Sequence, residues 1–368
     1  VGLDPTIKII LSADWHLGHK RVKTEDTAND IANSLFPRIP TADMLCIAGD
    51  IFDGRVSFNS GDTSVIIGLF VDMLKLCYGN NVTVRIIRGT YSHDILQNNV
   101  LTKIYSKLGL PIDFKVINDL SVEYNEKLKL SFLYIPDNLP YKGKNDLLRV
   151  ATDIMKANDL KMVDYVVMHG EFDVMGYNDF GRNIFTLNDF NKICRYLVLS
   201  GHIHKPIHTG KLVYAGSINR LSHNEEEPKG FWEIVGDQPT FIENPNATKF
   251  ITLDYTGVTS LKEAMERYSN DIAIFNERAA FLRIVVNDIH IRQSLLIHHN
   301  SIYPHIKLTF KSQKRYEQTD KYLDDKIKSK QEQREIPTRA NISAIVSNYI
   351  ETSYGIYMKL DDIEAIIN

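Results

Sequence analysis

Asp14 and His16 stand directly after the apolar, β-rich run 7–13, where a strand would open into a loop. Ligands collect at such strand ends in open α/β sheets. Asp50, with Asp53 three residues on, follows the run 44–48 through Gly49, which permits the turn and leaves Asp50 free to bridge two cations. His169 closes the run that begins at Tyr165, and His202 and His204 follow the run 196–200, their alternation keeping both rings on one side. Carboxylates mixed with imidazoles, without thiolates, suit Mn²⁺ first, with Mg²⁺, Fe or Zn²⁺ as alternatives, over an all-oxygen calcium site. A single histidine of this kind reads more simply as a strand-end residue bonded to backbone. The ordered series DxH, GDxxD, lone His and GHxH reads as a metal centre.

These residues need a scaffold of strands that end at one edge. The first two-thirds of the chain alternates apolar runs (7–13, 44–48, 82–87) with helix-period segments (27–36, 63–77, 96–108), the rhythm of an α/β sheet built from crossover units. Strands are expected again at 129–135, 165–169, 196–200 and 212–215, with a helix near 145–158. The turn cluster Asn244-Pro245-Asn246 marks a boundary, after which strands at 250–255, 281–286 and 302–310 and a helix near 261–268 form a small α+β unit. Residues 311–335 are almost wholly polar and rich in both signs of charge, as in a solvated helix or linker. The expected division is therefore 1–243, 244–310, a linker at 311–335, and a helical segment at 336–368.

Composition narrows the function. At 43% hydrophobic and 24% charged the chain has the balance of a globular protein, and its formal net charge of −3 means that any nucleic-acid contact must come from a local basic surface. Cys46, Cys77 and Cys194 are far apart, which excludes a CxxC zinc site and points to a reducing compartment. No apolar run reaches the roughly 18 residues of a membrane span, and the start of the chain has no signal-peptide pattern.

The motif order resembles the calcineurin-like metallophosphoesterases. That resemblance implies a four-layer αββα sandwich in which Asp14, His16, Asp50 and His204 hold one metal ion and Asp50, His169 and His202 a second. Two cations about 3.5–4 Å apart activate a water and clamp a phosphoryl group, so phosphoester hydrolysis is the implied reaction. The stretch Arg88-Gly89-Thr90-Tyr91-Ser92-His93-Asp94 occupies the place of the superfamily's Gly-Asn-His-Asp motif. His93 would be the general acid, with Asp94 accepting its other ring N–H. No Asn precedes His93, and Ser92 is the expected substitute for that missing metal ligand, ahead of Thr90 or a water.

Within the superfamily, Asp14-Trp15-His16-Leu17-Gly18, the Gly49–Asp53 motif, Tyr214-Ala215-Gly216-Ser217 and Gly230-Phe231-Trp232-Glu233-Ile234 resemble SbcD-type DNA repair nucleases. The resemblance covers about residues 7–236. It implies a Mn²⁺-dependent exo/endonuclease acting on double-stranded DNA ends or hairpins. Its partner would be an SbcC-like ATPase of the SMC type in a two-plus-two complex, in the cytoplasm of a prokaryotic or phage-infected cell. Residues 244–310 would cap the DNA, and Lys20 and Arg21 could meet phosphates or form a plain solvated loop. The helix expected at 63–77 is apolar on more than one face, suiting either a second subunit or full burial. Ile342, Ile345, Val346, Tyr349 and Ile350 fall on one helical stripe and Leu360 and Ile363 on a second, a hairpin that would bind the ATPase. The competing readings are a phosphatase or cyclic-nucleotide phosphodiesterase of the same fold, and a catalytically weak DNA-binding scaffold.

Overall fold

The computed structural model describes residues 6–56, 61–94, 97–137, 139–173, 184–273, 280–303 and 306–311. The chain begins β1 (Lys8–Ser12), α1 (Thr24–Ser34), β2 (Met44–Ile47), α2 (Gly61–Gly79), β3 (Thr83–Ile87), α3 (Tyr91–Asp94), α4 (Asn98–Leu108) and β4 (Phe114–Ile117). It continues β5 (Ser121–Asn125), β6 (Leu130–Ile135), α5 (Lys144–Ala157), β7 (Val163–His169), α6 (Leu187–Phe190), β8 (Cys194–Gly201), β9 (Ile207–Thr209) and β10 (Leu212–Tyr214). Last come β11 (Gly230–Val235), β12 (Gln238–Glu243), β13 (Lys249–Asp254), α7 (Leu261–Ala273), β14 (Ala280–Val285), α8 (Ile289–Ile302) and β15 (Lys307–Lys311).

The fold is α/β, with two large mixed sheets. One has the order β12-β11-β1-β2-β3-β4 and the other β5-β6-β7-β8-β10-β9. The central strands read as continuous apolar runs because both of their faces are covered. Ile9 and Leu11 of β1, with Met44 and Cys46 of β2, pack against Phe132, Tyr165, Val167 and Leu199 of the opposite sheet. The intervening Ile10, Leu45 and Ile47 instead meet Ile31 of α1 and Phe70 and Met73 of α2. On the second sheet, Leu133, Val166 and Val198 turn away from the first and pack under Leu147, Ala151 and Met155 of α5. Strands β1, β2 and β3 run parallel, as do β6, β7 and β8, so each group delivers its C-terminal ends to one edge.

Helix α2 buries Ile66, Leu69, Phe70, Met73, Leu74 and Cys77 but leaves Ile67 and Tyr78 exposed, so the fully buried alternative does not hold. The third sheet, β13-β14-β15, is wholly parallel and carries its own core of Tyr255, Tyr268, Ile272, Leu282, Ile284 and Leu295. One of its helices departs from the sequence expectation: residues 289–302 form α8, so Ile302 ends a helix instead of opening a strand. The side chain of Asp288 caps α8 by accepting from the N–H groups of His290 and Ile291. The linker beyond Lys311 and the proposed partner-binding residues Ile342, Ile345, Val346, Tyr349, Ile350, Leu360 and Ile363 lie outside the described residues. No helix among the described residues is long and apolar enough to cross a membrane.

An ion pair ties the sheets together away from the ligand-bearing edge. Arg85 of β3, fully buried, donates through Nε and Nη2 to Glu123 of β5 at 2.7 and 2.6 Å, and Nη2 also reaches Asp113 Oδ2 at 2.9 Å. Burial opposes the charge on Glu123, but the hydrogen bonds from Arg85 and Lys115 overcome it and hold the carboxyl down to about 2 from its ordinary 4.5. A depressed carboxylate contributes stability that is complete above the unfolded pKa and lost as pH falls through the folded one. Glu123→Gln should therefore cost roughly 2–3 kcal/mol at pH 7, and urea unfolding should show its deficit against wild type shrinking between pH 4.5 and 2. An equal deficit at both ends of that window would contradict the assignment.

Candidate metal centre

At the edge where the parallel strands end, backbone hydrogen bonding continues past the strands. The N–H groups of Asp14, His16 and Leu17 donate to the carbonyls of Gly49, Asp50 and Ile51 at 3.0, 3.1 and 2.8 Å. Two loops thus run side by side, one carrying Asp14 and His16 and the other Asp50 and Asp53. The opposite sheet supplies His169 at the end of β7 and His202 and His204 just past β8. Donor atoms of Asp14, His16 and His204 lie within 4.8 Å of one another, as do those of Asp50, His169 and His202, and those of His16, Asp50 and His93. Asp14, His16, Asp50 and His169 are buried, while the side chains of His93, His202 and His204 are about a third exposed.

The backbone itself is strained at these positions. Asp14, His16, Asp50 and His202 have φ of +52, +46, +50 and +93°, left-handed values that non-glycine residues seldom adopt. Such conformations cost roughly 1–3 kcal/mol each and persist where the surroundings over-determine them. Three glycines permit the crowding. A Cβ on Gly49 would lie 2.4 Å from His169 Nδ1, one on Gly89 2.2 Å from both N and Oδ1 of Asp50, and one on Gly201 2.2 Å from the Ala48 carbonyl.

The imidazoles of His16, His169, His202 and His204 each have an outer partner that fixes their orientation. His16 Nδ1 lies 3.1 Å from Asp53 Oδ1, His204 Nδ1 3.4 Å from Glu225 Oε1, His169 Nδ1 2.7 Å from the Ala48 carbonyl, and His202 Nε2 3.2 Å from Glu171 Oε1. If those nitrogens carry the protons, the inward nitrogens present lone pairs. His16 Nε2 and His204 Nε2 then face each other at 3.1 Å, and His169 Nε2 faces Asp50 Oδ2 at 3.3 Å. Acceptor facing acceptor requires a proton or a cation between them, and this donor set is one that a divalent cation would fill. The electrostatics agree. Burial alone would keep His169 neutral, but the charge and hydrogen bond of Asp50 raise it to about 10, so the pocket calls for positive charge. Asp50 is held well below the usual carboxylate range: burial opposes its charge, and His169 and His16 outweigh burial.

Two expectations need correction. Asp94 does not orient His93. Its Oδ1 accepts from the N–H groups of Ile51 and Phe52 at 3.0 and 3.3 Å, and its Oδ2 from Gly89 N and Asn98 Nδ2 at 2.7 and 3.1 Å. It is a fully buried staple between the Asp50 and Gly89 loops, and the carboxylate beside His93 Nδ1 is that of Asp53, 3.8 Å away. Ser92 is exposed on α3. Thr90, the second choice, lies beside the candidate ligands: its N–H donates to Asp50 Oδ1 at 2.6 Å, and its Oγ1 lies 3.2 Å from Asp50 Oδ2 and 3.3 Å from His169 Nε2. Lys20 and Arg21 are exposed in the loop before α1, where His19 Nδ1 accepts from the N–H groups of Arg21 and Val22. Sequence reasoning missed the outer carboxylates Glu171 and Glu225. Glu171 follows His169 by two residues, a signal open to notice; Glu225 lies 21 residues beyond His204 and gave none.

No protein-family model matches the chain, and no curated protein matches it. Among solved structures, TT1561 of Thermus thermophilus aligns over 65% of this chain and 99% of its own length, at 13% identity and a TM-score of 0.40. A second aligns over 64% of this chain and 98% of its own, at 13% identity and 0.38. Gly89→Ala forces a methyl into Asp50 and should destabilise the protein by roughly 1–3 kcal/mol, whereas Gly61→Ala, whose Cβ meets nothing within 4 Å, should not. Thermal unfolding of the two variants decides it; equal melting temperatures would mean that the loops yield freely.

Proposed function

We propose that the chain is a two-metal phosphoesterase and, within that class, an SbcD-type DNA nuclease. The observation that carries the first part is the convergence of two Asp/His donor sets, each with two buried members, with imidazole nitrogens facing one another at 3.1 Å. The second part rests on the resemblance of residues 7–236 to SbcD-type nucleases, including the segments around Tyr214 and Gly230. Asp14, His16, Asp50 and His204 would hold one divalent ion and Asp50, His169 and His202 the other, with Mn²⁺ the first choice. When bound, such a pair lowers the pKa of a water and stabilises the attacking and leaving oxygens of a phosphoryl group.

The protein's own groups supply the remainder. Asp53 holds His16 through Nδ1, and Ala48, Glu171 and Glu225 hold the other three rings, so the inward nitrogens are set before any substrate arrives. His93 stands edge-on to His16 at a centroid distance of 4.7 Å, with Nδ1 turned inward toward Asp53. Nε2 is then the nitrogen from which a proton can pass to a leaving oxygen. In this reading residues 244–310 cap the duplex, and an SbcC-like ATPase binds through 336–368.

The decisive experiment is a nuclease assay on linear duplex and hairpin DNA, with Mn²⁺ and Mg²⁺ compared. Asp50→Ala should abolish cleavage in a folded protein, and His93→Gln should lower kcat about 10²–10⁴-fold with KM little changed. Cleavage that survives Asp50→Ala would remove the metal assignment, and hydrolysis of an aryl phosphate without DNA cleavage would replace the nuclease by a phosphatase. A second test separates the two hydroxyls. Thr90→Val removes the oxygen beside Asp50 and His169 and should weaken one phase of a calorimetric Mn²⁺ titration by about 10-fold, whereas Ser92→Ala should leave both phases unchanged. The reverse pattern would restore Ser92 as the ligand.

A further inference from the structure

Lys229 is fully buried, and its three ammonium protons have three acceptors. Nζ lies 2.9 Å from the backbone carbonyl of His204, 2.8 Å from Glu225 Oε2 and 3.0 Å from Glu227 Oε1. The other oxygen of Glu225 lies 3.4 Å from His204 Nδ1. One ammonium therefore grips His204 at both ends, directly at its carbonyl and through Glu225 at its ring. Glu225 is pinned further, by the N–H of Leu221 and the hydroxyl of Ser222, each at 3.3 Å. The carbonyl of His204 also accepts from Ser217 N at 3.0 Å, and Gly230 N returns to the Ser217 carbonyl at 3.2 Å, closing the segment into a loop around Lys229.

A buried ammonium with two carboxylates is an expensive arrangement when its only product is stability, because apolar residues of similar volume usually serve as well. Its geometry has a use if the product is orientation. We infer that Lys229 and Glu225 are positioning residues for His204, holding the proton of its ring on Nδ1 and its Nε2 toward His16 as an open donor for a divalent cation. The inference rests on the metal reading above. Glu227 supplies an internal control, since it shares Lys229 but is not bonded to His204.

The test uses the full chain and Mn²⁺ alone. Calorimetric titration of wild type should show two binding phases. Glu225→Gln, which keeps the side-chain shape, should weaken one phase by about 10–100-fold and spare the other. Lys229→Met should weaken the same phase, and Glu227→Gln should change neither, with circular dichroism confirming that each variant is folded. Because Lys229→Met could unfold the protein, nitrogen-edited NMR of metal-free wild type, above the pH at which the ring titrates, provides a reading that needs no variant: the proton of His204 should reside on Nδ1. A proton on Nε2, wild-type binding by Glu225→Gln, or equal losses in Glu225→Gln and Glu227→Gln would each overturn the positioning role. Failure of wild type to take up Mn²⁺ at all would overturn the metal reading itself, and this inference with it.

Discussion

The structure turns on the carboxylate of Asp50. It is buried, lies on a residue with left-handed backbone, and is shared between imidazoles from both sheets, with His169 Nε2 at 3.3 Å and His16 Nε2 at 3.9 Å. A buried anion with this neighbourhood has to be compensated, and the surrounding loops do so. Thr90 donates to it from backbone and hydroxyl. Asp94, itself saturated by four N–H donors, fixes the loops on either side of it. Gly49 and Gly89 carry no side chain because a methyl at either would occupy the space of His169 or of Asp50 itself. Much of the local sequence around the centre is explained by the need to place that one carboxylate.

The remaining carboxylates divide by what they touch. Asp14 accepts the N–H of His202 through both oxygens, at 3.2 and 3.1 Å, and so orders the backbone that bears two of the imidazoles. Asp53, Glu225 and Glu171 stand behind His16, His204 and His202. Burial opposes the charge on Glu225, but the bond to His204 and the Lys229 charge hold its carboxyl down to about 2. It is thus an anion at neutral pH, and an acceptor for the ring behind which it sits.

The candidate donors are legible in the sequence because strand ends are local events: each candidate ligand lies at or just past the end of an apolar run, and a run of that kind can be read without knowing which strands pair. The strands 44–48 and 82–87 are readable for the same reason, being covered on both faces. What cannot be read depends on contacts distant in sequence or on backbone shape. Asp94 sits next to His93, and adjacency suggests a pair, but in the short helix α3 neighbouring side chains point in different directions. Position next to His93 favours Ser92 over Thr90, whereas the turn at Gly89 brings Thr90 to Asp50. Helix α8 is hidden because its apolar residues do not form one clean stripe: Ile291 and Leu295 are buried while Ile289, Leu296 and Ile297 are exposed, and only Asp288 announces the cap.

The segment after β10 has a place in this picture that no motif announces. Between Ser217 and Lys229 it supports His204 at one end, and elsewhere it carries the junction with the third sheet. Asn219 Oδ1 accepts from Thr248 N at 2.6 Å, while Arg220 Nη1 reaches the Ala247 carbonyl at 3.4 Å. Leu221 packs with Val22 and Phe250, and the ring of His223 stands edge-on to Phe250 at 5.2 Å. Burial and the nearby charges of Arg283 and Arg21 push His223 down to about 4, so at neutral pH it is an uncharged ring able to pack against an aromatic face. The third sheet and the ring of His204 therefore share one support. The same short stretch of chain thus contacts β13 and a candidate metal ligand, and the buried Lys229 anchors its end through the His204 carbonyl and Glu225.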